Sequence, residues 1–123
     1  MKYTRILLIS IFLSLISACA TTSNSNKNYG EAGIYKITAQ QADKIAYRAM
    51  LSGFSAEKIQ KITLPSNGYT ATMSFLLDSQ DITLMVVEHD EGYSFNMKSK
   101  GTMLVSGNIK ADQIFKKAMK LAK

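Results

Sequence analysis

The sequence predicts an α+β fold in which a helix, an antiparallel four- to five-stranded meander and a second helix follow one another, with both helices packed on one face of the sheet. Apolar residues recur at helical spacing near both ends of the predicted domain, and between those ends they alternate with polar residues. Short turn-like stretches join the alternating segments. The 123 residues allow one domain, because two would each be too small to bury a core.

The first eighteen residues have the composition of a secretory signal. Lys2 and Arg5 precede an apolar run from Ile6 to Ile16, and the small residues Ser17 and Ala18 follow it. The run is much shorter than the roughly 20 residues that a helix needs to span a bilayer. We therefore expect residues 1–18 to be a signal peptide that is removed.

The stretch Ile16-Ser17-Ala18-Cys19 resembles the lipobox of bacterial lipoproteins. The resemblance implies that Cys19 receives a diacylglycerol, that residues 1–18 are cleaved off, and that the new N-terminus is acylated by a fatty acid such as palmitate. Two acyl chains already give stable anchoring, so the three chains of a mature lipoprotein hold it firmly in a membrane. In Gram-negative members an Asp after the cysteine retains the protein in the inner membrane. Ala20 therefore implies a small outer-membrane lipoprotein, on the periplasmic or the surface face.

Residues 19–31 are expected to form the lipidated cysteine and a flexible linker, because Ala20 to Gly30 is rich in Ser, Thr and Asn. The single folded domain then covers residues 32–123. Gly33 to Ile37 is a candidate short strand at its start.

The first predicted helix covers Thr38 to Ser52. Thr38 and Gln41 have the spacing of a capping box, and Gly53 supplies a natural stop. The apolar residues at helical spacing are Ala42, Ile45, Ala46, Ala49 and Met50.

Four segments after this helix are predicted to be strands: Ile59–Leu64, Tyr69–Leu77, Ile82–Val87 and Tyr93–Lys98. The third is apolar on both faces, which indicates an interior strand. The turn-like stretches 78–81 and 90–92 predict an antiparallel meander. Residues 102–105 are a candidate fifth strand.

The chain closes with a second predicted helix whose apolar stripe ends at Ala122. Its opposite face carries Lys110, Lys116, Lys117 and Lys120. These lysines are interpreted as a solvated face, and the alternative is a basic surface for an anionic membrane or a polyanion.

The sequence predicts neither an enzyme nor a cofactor. His89 is the only histidine, and no G-x-S-x-G motif presents a serine nucleophile. The cluster from Glu88 to Glu91 is interpreted as a charged turn rather than a metal site or a glycosidase carboxylate pair. Nucleic acid is not an expected partner, because no aromatic-plus-basic motif occurs and the protein is expected to lie in the cell envelope.

Methionine and aromatic side chains are the candidate binding residues. They either fill the core or line an adaptable apolar pocket or partner surface for a lipid-like ligand or an envelope protein. The candidates are Met50, Met73, Phe75, Met85, Val87, Phe95, Met97, Phe115 and Met119.

Three classes of function follow from these observations. The preferred one is a non-catalytic outer-membrane lipoprotein that binds an apolar ligand or a protein partner, similar in size and plan to small lipoproteins of Gram-negative pathogens, some of them virulence-associated. The second is an accessory subunit of outer-membrane assembly. The third is an inhibitor of a periplasmic or host hydrolase such as lysozyme, with Ser106-Gly107 in an inhibitory loop.

Overall fold

A computed structural model of the chain describes residues 25–29, 33–64 and 66–123. The expected signal peptide and Cys19 lie outside the described residues. Within these residues, five strands form one antiparallel sheet in the order β1-β5-β4-β3-β2, and two α-helices accompany it. The elements are β1 Ser25–Tyr29, α1 Ala39–Leu51, β2 Gln60–Ile62, β3 Gly68–Phe75, β4 Asp78–His89, β5 Gly92–Gly101 and α2 Leu104–Ala122, with a 3₁₀ turn at Ala56–Lys58. The predicted α+β fold is confirmed.

Helix α1 begins and ends where the sequence predicts. The Thr38 side chain accepts a hydrogen bond from the Gln41 backbone N–H, and the Gln41 side chain accepts one from the Thr38 N–H. This capping box satisfies two of the donors that a helix start leaves unpaired. After Ser52 the chain folds back, and the Phe54 N–H donates to the Met50 carbonyl with the Phe54 ring buried.

Strands β2 to β5 form the predicted meander, but its first long hairpin is tighter than the sequence indicates. Phe75 lies opposite Asp78, so Leu76 and Leu77 alone make the turn. The predicted turn at residues 78–81 is wrong, because those residues are the start of β4. The second hairpin turns through Asp90 and Glu91, since His89 lies opposite Gly92.

The fifth strand of the sheet is not the predicted one. Residues 102–105 do not form a strand, because α2 begins at Leu104. The edge beside β5 is instead filled by β1, whose Ser25 lies opposite Gly101 and whose Tyr29 lies opposite Met97. These residues belong to the segment expected to be a flexible linker. Strand pairing uses backbone N–H and C=O groups, so a polar segment at the edge of a sheet can pair as a strand. Its sequence then shows no apolar alternation from which the strand could be predicted.

The candidate strand at residues 33–37 is a single bridge rather than a strand. The Tyr35 N–H donates to the Tyr93 carbonyl over 2.8 Å, and the Tyr93 N–H returns a bond of 2.9 Å. Tyr35 therefore pairs with the same edge of β5 as β1 does, but nearer the start of β5.

Both helices pack on one face of the sheet, as predicted. The strand residues that reach the shared core alternate along β3, β4 and β5, which places them on the same side. The core comprises Ala42, Ala46, Ala49, Met50, Phe54, Tyr69, Ala71, Ile82, Leu84, Val86, Phe95, Met97, Ala111, Ile114, Phe115 and Ala118. Neither helix in this part of the chain has the length and hydropathy needed to cross a bilayer.

Candidate functional site

A groove of about 860 Å³ opens at the end of the sheet where β4 finishes and β5 starts. The first half of α1 forms one wall, and the segment from β2 to the start of β3 forms another. Its lining residues are Ala39, Gln40, Asp43, Lys44, Lys61, Thr63, Ser66, Asn67, Val86, Glu88 and Tyr93. Carboxylates, amines, hydroxyls and amides are all present. The groove therefore offers hydrogen-bond donors and acceptors, and it carries side chains of both charges.

The local sequence explains why these side chains meet. Because the capping box fixes where α1 begins, residues 39, 40, 43 and 44 share one helical face, and that face lines the groove. Glu88 and Tyr93 are direct partners across β4 and β5. The site is therefore built from one helix face and one rung of the sheet.

Asp43 is the centre of the polar contacts beside the groove. The Tyr69 hydroxyl donates to Asp43 Oδ1 over 2.8 Å, and Lys61 Nζ lies 3.7 Å from the same oxygen. The Tyr47 ring packs on Tyr69 with the ring centroids 5.3 Å apart. Three elements, α1, β2 and β3, thus converge on one carboxylate.

The Tyr69 phenol is held in its neutral form. Burial, and after it the hydrogen bond and the charge of Asp43, raise the pKa of Tyr69 to about 12 from its ordinary 10.0. Tyr69 therefore stays a hydrogen-bond donor throughout the physiological range. It fixes the Asp43 carboxylate at the groove wall, where the remaining lone pairs of that carboxylate can accept further bonds.

The nine candidate binding residues do not surround one hollow. Four are buried core residues and two more are half-buried against that core: Met50, Phe95, Met97 and Phe115, then Met73 and Met119. Their thioethers and rings fill the interior, which is the first of the two interpretations that the sequence allows for them.

The remaining three candidates lie elsewhere. By the alternation of β4, Met85 and Val87 lie on the face of the sheet opposite the helices, where Met85 is buried. Phe75 is exposed at the end of β3. None of the nine candidate residues lines the groove. The sequence pattern did not predict the groove or its lining residues.

The four residues of the charged cluster at the second hairpin lie in three different environments. Glu88 lines the groove, Asp90 and Glu91 form the turn, and His89 Nε2 lies 2.7 Å from the Ser94 hydroxyl oxygen. Within the described residues, no group of three or more His, Cys, Asp or Glu side chains is placed to hold a metal ion.

Two expectations for α2 need correction. Lys110 is not on the solvated face with the other lysines, because its Nζ donates to the Gly53 carbonyl over 2.8 Å and lies 5.1 Å from the centre of the Phe54 ring. Ser106 and Gly107 do not form a loop, because they lie in the first turns of α2, with Gly107 buried. A helix cannot insert there as the extended loop of a hydrolase inhibitor would.

A second, smaller cavity of about 330 Å³ lies along the β2 edge. Strand β2 is only three residues long and pairs with Gly68 to Thr70, whereas β3 continues to Phe75. Thr70, Thr72 and Ser74 of β3 line this cavity. Because β2 ends its pairing at Thr70, residues 71–75 of β3 form an open sheet edge with which an added strand can pair.

The fold and the groove together define a small two-layer α+β domain with an open polar groove beside a short edge strand. Comparison of the chain with protein-family models, with curated proteins and with solved structures finds no match in any of the three.

Proposed function

We propose that this chain is a lipoprotein anchored in the outer membrane through Cys19, and that its folded domain is a non-catalytic module that binds a protein partner in the cell envelope. The lipobox resemblance of residues 16–19 supports the anchor, and Ala20 supports the outer membrane. The mature N-terminus would carry the acyl chains, and the domain would act within reach of that membrane.

The observation that carries the binding role is the polar groove beside the β2 edge. Asp43 and Glu88 supply carboxylates, and Lys44 and Lys61 supply amines, along one open cleft. An extended peptide exposes a backbone donor and acceptor at each residue, so such a cleft can satisfy it along its length. Side chains of either charge on the peptide would find a complementary partner.

The same observation favours a protein partner over a lipid-like ligand. Six of the nine apolar candidates lie in or against the core, and an acyl chain needs an apolar lining that this groove does not provide. A barrel protein of the assembly machinery and a hydrolase such as lysozyme are both protein partners that a groove of this kind could engage. The partner's identity distinguishes the two alternatives.

In-cell photocrosslinking of the full-length lipoprotein tests this proposal. A photoreactive amino acid would replace Thr63, which is exposed and lines the groove, and in a matched variant Gln113, which is exposed on α2. We expect a discrete protein adduct from position 63 that position 113 does not give. Mass spectrometry would identify the partner and, in the same sample, the lipid on Cys19.

Equal adducts from both positions, or none from position 63 at native expression, would contradict the binding role of the groove. A protein that retained residues 1–18 and carried no acyl group would contradict the anchor.

A further inference from the structure

The two hairpin turns that flank β4 lie at opposite ends of this strand and differ completely in character. The turn between β3 and β4 is Leu76-Leu77, and the turn between β4 and β5 is Asp90-Glu91. Acidic residues such as Asp90 and Glu91 are common in turns that are exposed to water. The apolar pair is uncommon there, because tight turns favour Gly, Asn, Asp and Ser.

The apolar turn is exposed and conformationally unusual. Leu76 and Phe75 are 88% and 67% exposed, and the Leu77 side chain is fully exposed. Leu76 also has a φ of 56°, a left-handed conformation that non-glycine residues rarely adopt. Neither burial nor turn propensity explains three consecutive apolar residues here, and such departures concentrate at functional surfaces.

The start of α2 adds apolar surface at the same end of the molecule. The Thr102 N–H donates to the Ser79 carbonyl over 2.9 Å, which holds the entry to α2 beside the hairpin. Val105, in the first turn of α2, is 72% exposed, and Ile109 is exposed one turn later. Single exposed apolar residues are common, but here five belong to a hairpin turn and a helix start whose flanking residues are hydrogen-bonded to each other.

The chain register places the anchor at this end too. Gln80 and Ser25 both lie opposite Gly101, on its two sides, so β1 begins at the same level of the sheet as the start of β4, with β5 between them. Cys19 precedes Ser25 by six residues, which span at most about 20 Å. Glu88 in the groove is eight residues along β4 from Gln80, about 26 Å away at strand spacing. The chain that follows Cys19 therefore enters the sheet at the apolar end of the domain. The polar groove lies at the opposite end.

We infer that the apolar end, formed by Phe75, Leu76, Leu77, Val105 and Ile109, contacts the lipid bilayer that holds the Cys19 anchor. This inference rests on the proposed lipid anchor and adds an orientation to it: the apolar end faces the lipid, and the groove faces away. Asp78 lies directly after the turn and is exposed, so its carboxylate limits entry to the tip of the hairpin. The acidic turn at the far end would be repelled by anionic headgroups.

A single tryptophan provides the test, because the chain contains none. The full-length lipoprotein carrying Leu77→Trp would be reconstituted in phosphatidylethanolamine and phosphatidylglycerol vesicles, with and without bromine on the lipid tails. Glu91→Trp, in the opposite turn, is the matched control. Both sites are exposed, and circular dichroism would verify folding of each variant.

Blue-shifted emission and bromine quenching of the tryptophan at position 77, with water-like and unquenched emission at position 91, are the expected results. If Cys19 carries its acyl chains in the same preparation but position 77 is water-like, the orientation is wrong and the anchor stands. Blue-shifted but unquenched emission at position 77 would overturn the inference in favour of a protein contact or a second copy. An unmodified Cys19 would overturn the anchor and this inference together.

Discussion

The Gln80 side chain donates from Nε2 to the Ser99 hydroxyl oxygen over 2.7 Å, and both residues are buried beneath α2. The other end of the same amide, Oε1, accepts a bond of 3.2 Å from the Met103 N–H. Helix α2 has no side-chain cap of its own at its start. A glutamine of β4 thus supplies the acceptor that a local cap would otherwise provide, and one amide joins β4, β5 and α2.

Replacing Gln80 by Ala should destabilise the domain strongly. The change leaves the buried Ser99 hydroxyl and the part-buried Met103 N–H without this partner, which costs about 2–3 kcal/mol. Urea unfolding followed by circular dichroism would measure the loss. Gln113→Ala, at an exposed position of α2, should change the free energy of unfolding by less than about 0.5 kcal/mol. Equal unfolding midpoints for the two variants would contradict the assigned role of Gln80.

Gly107→Ala should destabilise the domain, although alanine is ordinarily the better helix former by about 1 kcal/mol. A Cβ at position 107 would lie 2.6 Å from Gln80 Cγ and 2.9 Å from Cδ, so α2 or the Gln80 side chain must move. We expect a net loss of about 1–2 kcal/mol.

The double variant with Gln80→Ala tests that explanation of the glycine. Because the clash is with the Gln80 side chain, Gly107→Ala should cost much less once Gln80 is truncated. Strictly additive losses in urea unfolding would show that Gly107 is required for some other reason.

Lys110→Met should lower stability, whereas Lys117→Met should not. The first change keeps an unbranched apolar side chain of similar length but removes the bond from Nζ to the Gly53 carbonyl and the contact of the ammonium with the Phe54 ring, for a loss of about 1 kcal/mol. Lys117 is exposed on the outer face of α2 and serves as the control. Thermal unfolding of both variants would decide, and equal melting temperatures would place Lys110 among the solvated lysines after all.

The stability of the domain should fall in alkaline solution because of Tyr69. Its pKa is about 12 in the folded chain against 10.0 ordinarily, so the folded state binds this proton more tightly than the unfolded state. The stabilisation is complete below pH 10 and is lost as the pH rises from 10 towards 12. Melting temperatures measured across this window should fall less steeply for Tyr69→Phe, which has no proton to lose, than for the wild type. Parallel curves would contradict the assignment.

Parts of the fold whose physics is local could be predicted from the sequence. Thr38 and Gln41 are three residues apart and cap the helix with their own side chains, so α1 begins where the pattern indicates. The alternation from Tyr69 onward gives β3, because one face of that strand meets the core and the other does not. Gln80 shows the limit: its polar neighbours predict a turn, yet its amide is satisfied by Ser99 and Met103, which are distant in sequence.

The groove escaped sequence analysis for the same reason. Asp43, Lys61 and Glu88 are ordinary charged residues of a helix, a strand and a strand end, separated by up to 45 positions. No spacing rule connects them. Tyr69 was expected to be an apolar strand position, and its hydrogen bond to Asp43 exists only because α1 lies across β3.

The sequence by itself determined the α+β class, the capped first helix, the strand meander and the layer of helices on one face, because periodicity and capping depend on neighbours along the chain. It also supplied the lipobox resemblance on which the membrane address depends. Only the tertiary structure decided that Ser25–Tyr29 pairs with β5, that Leu76 and Leu77 make an exposed turn, and that the groove lies at the opposite end of β4. Those features depend on backbone pairing and on side chains brought together from distant positions, and no local pattern encodes them.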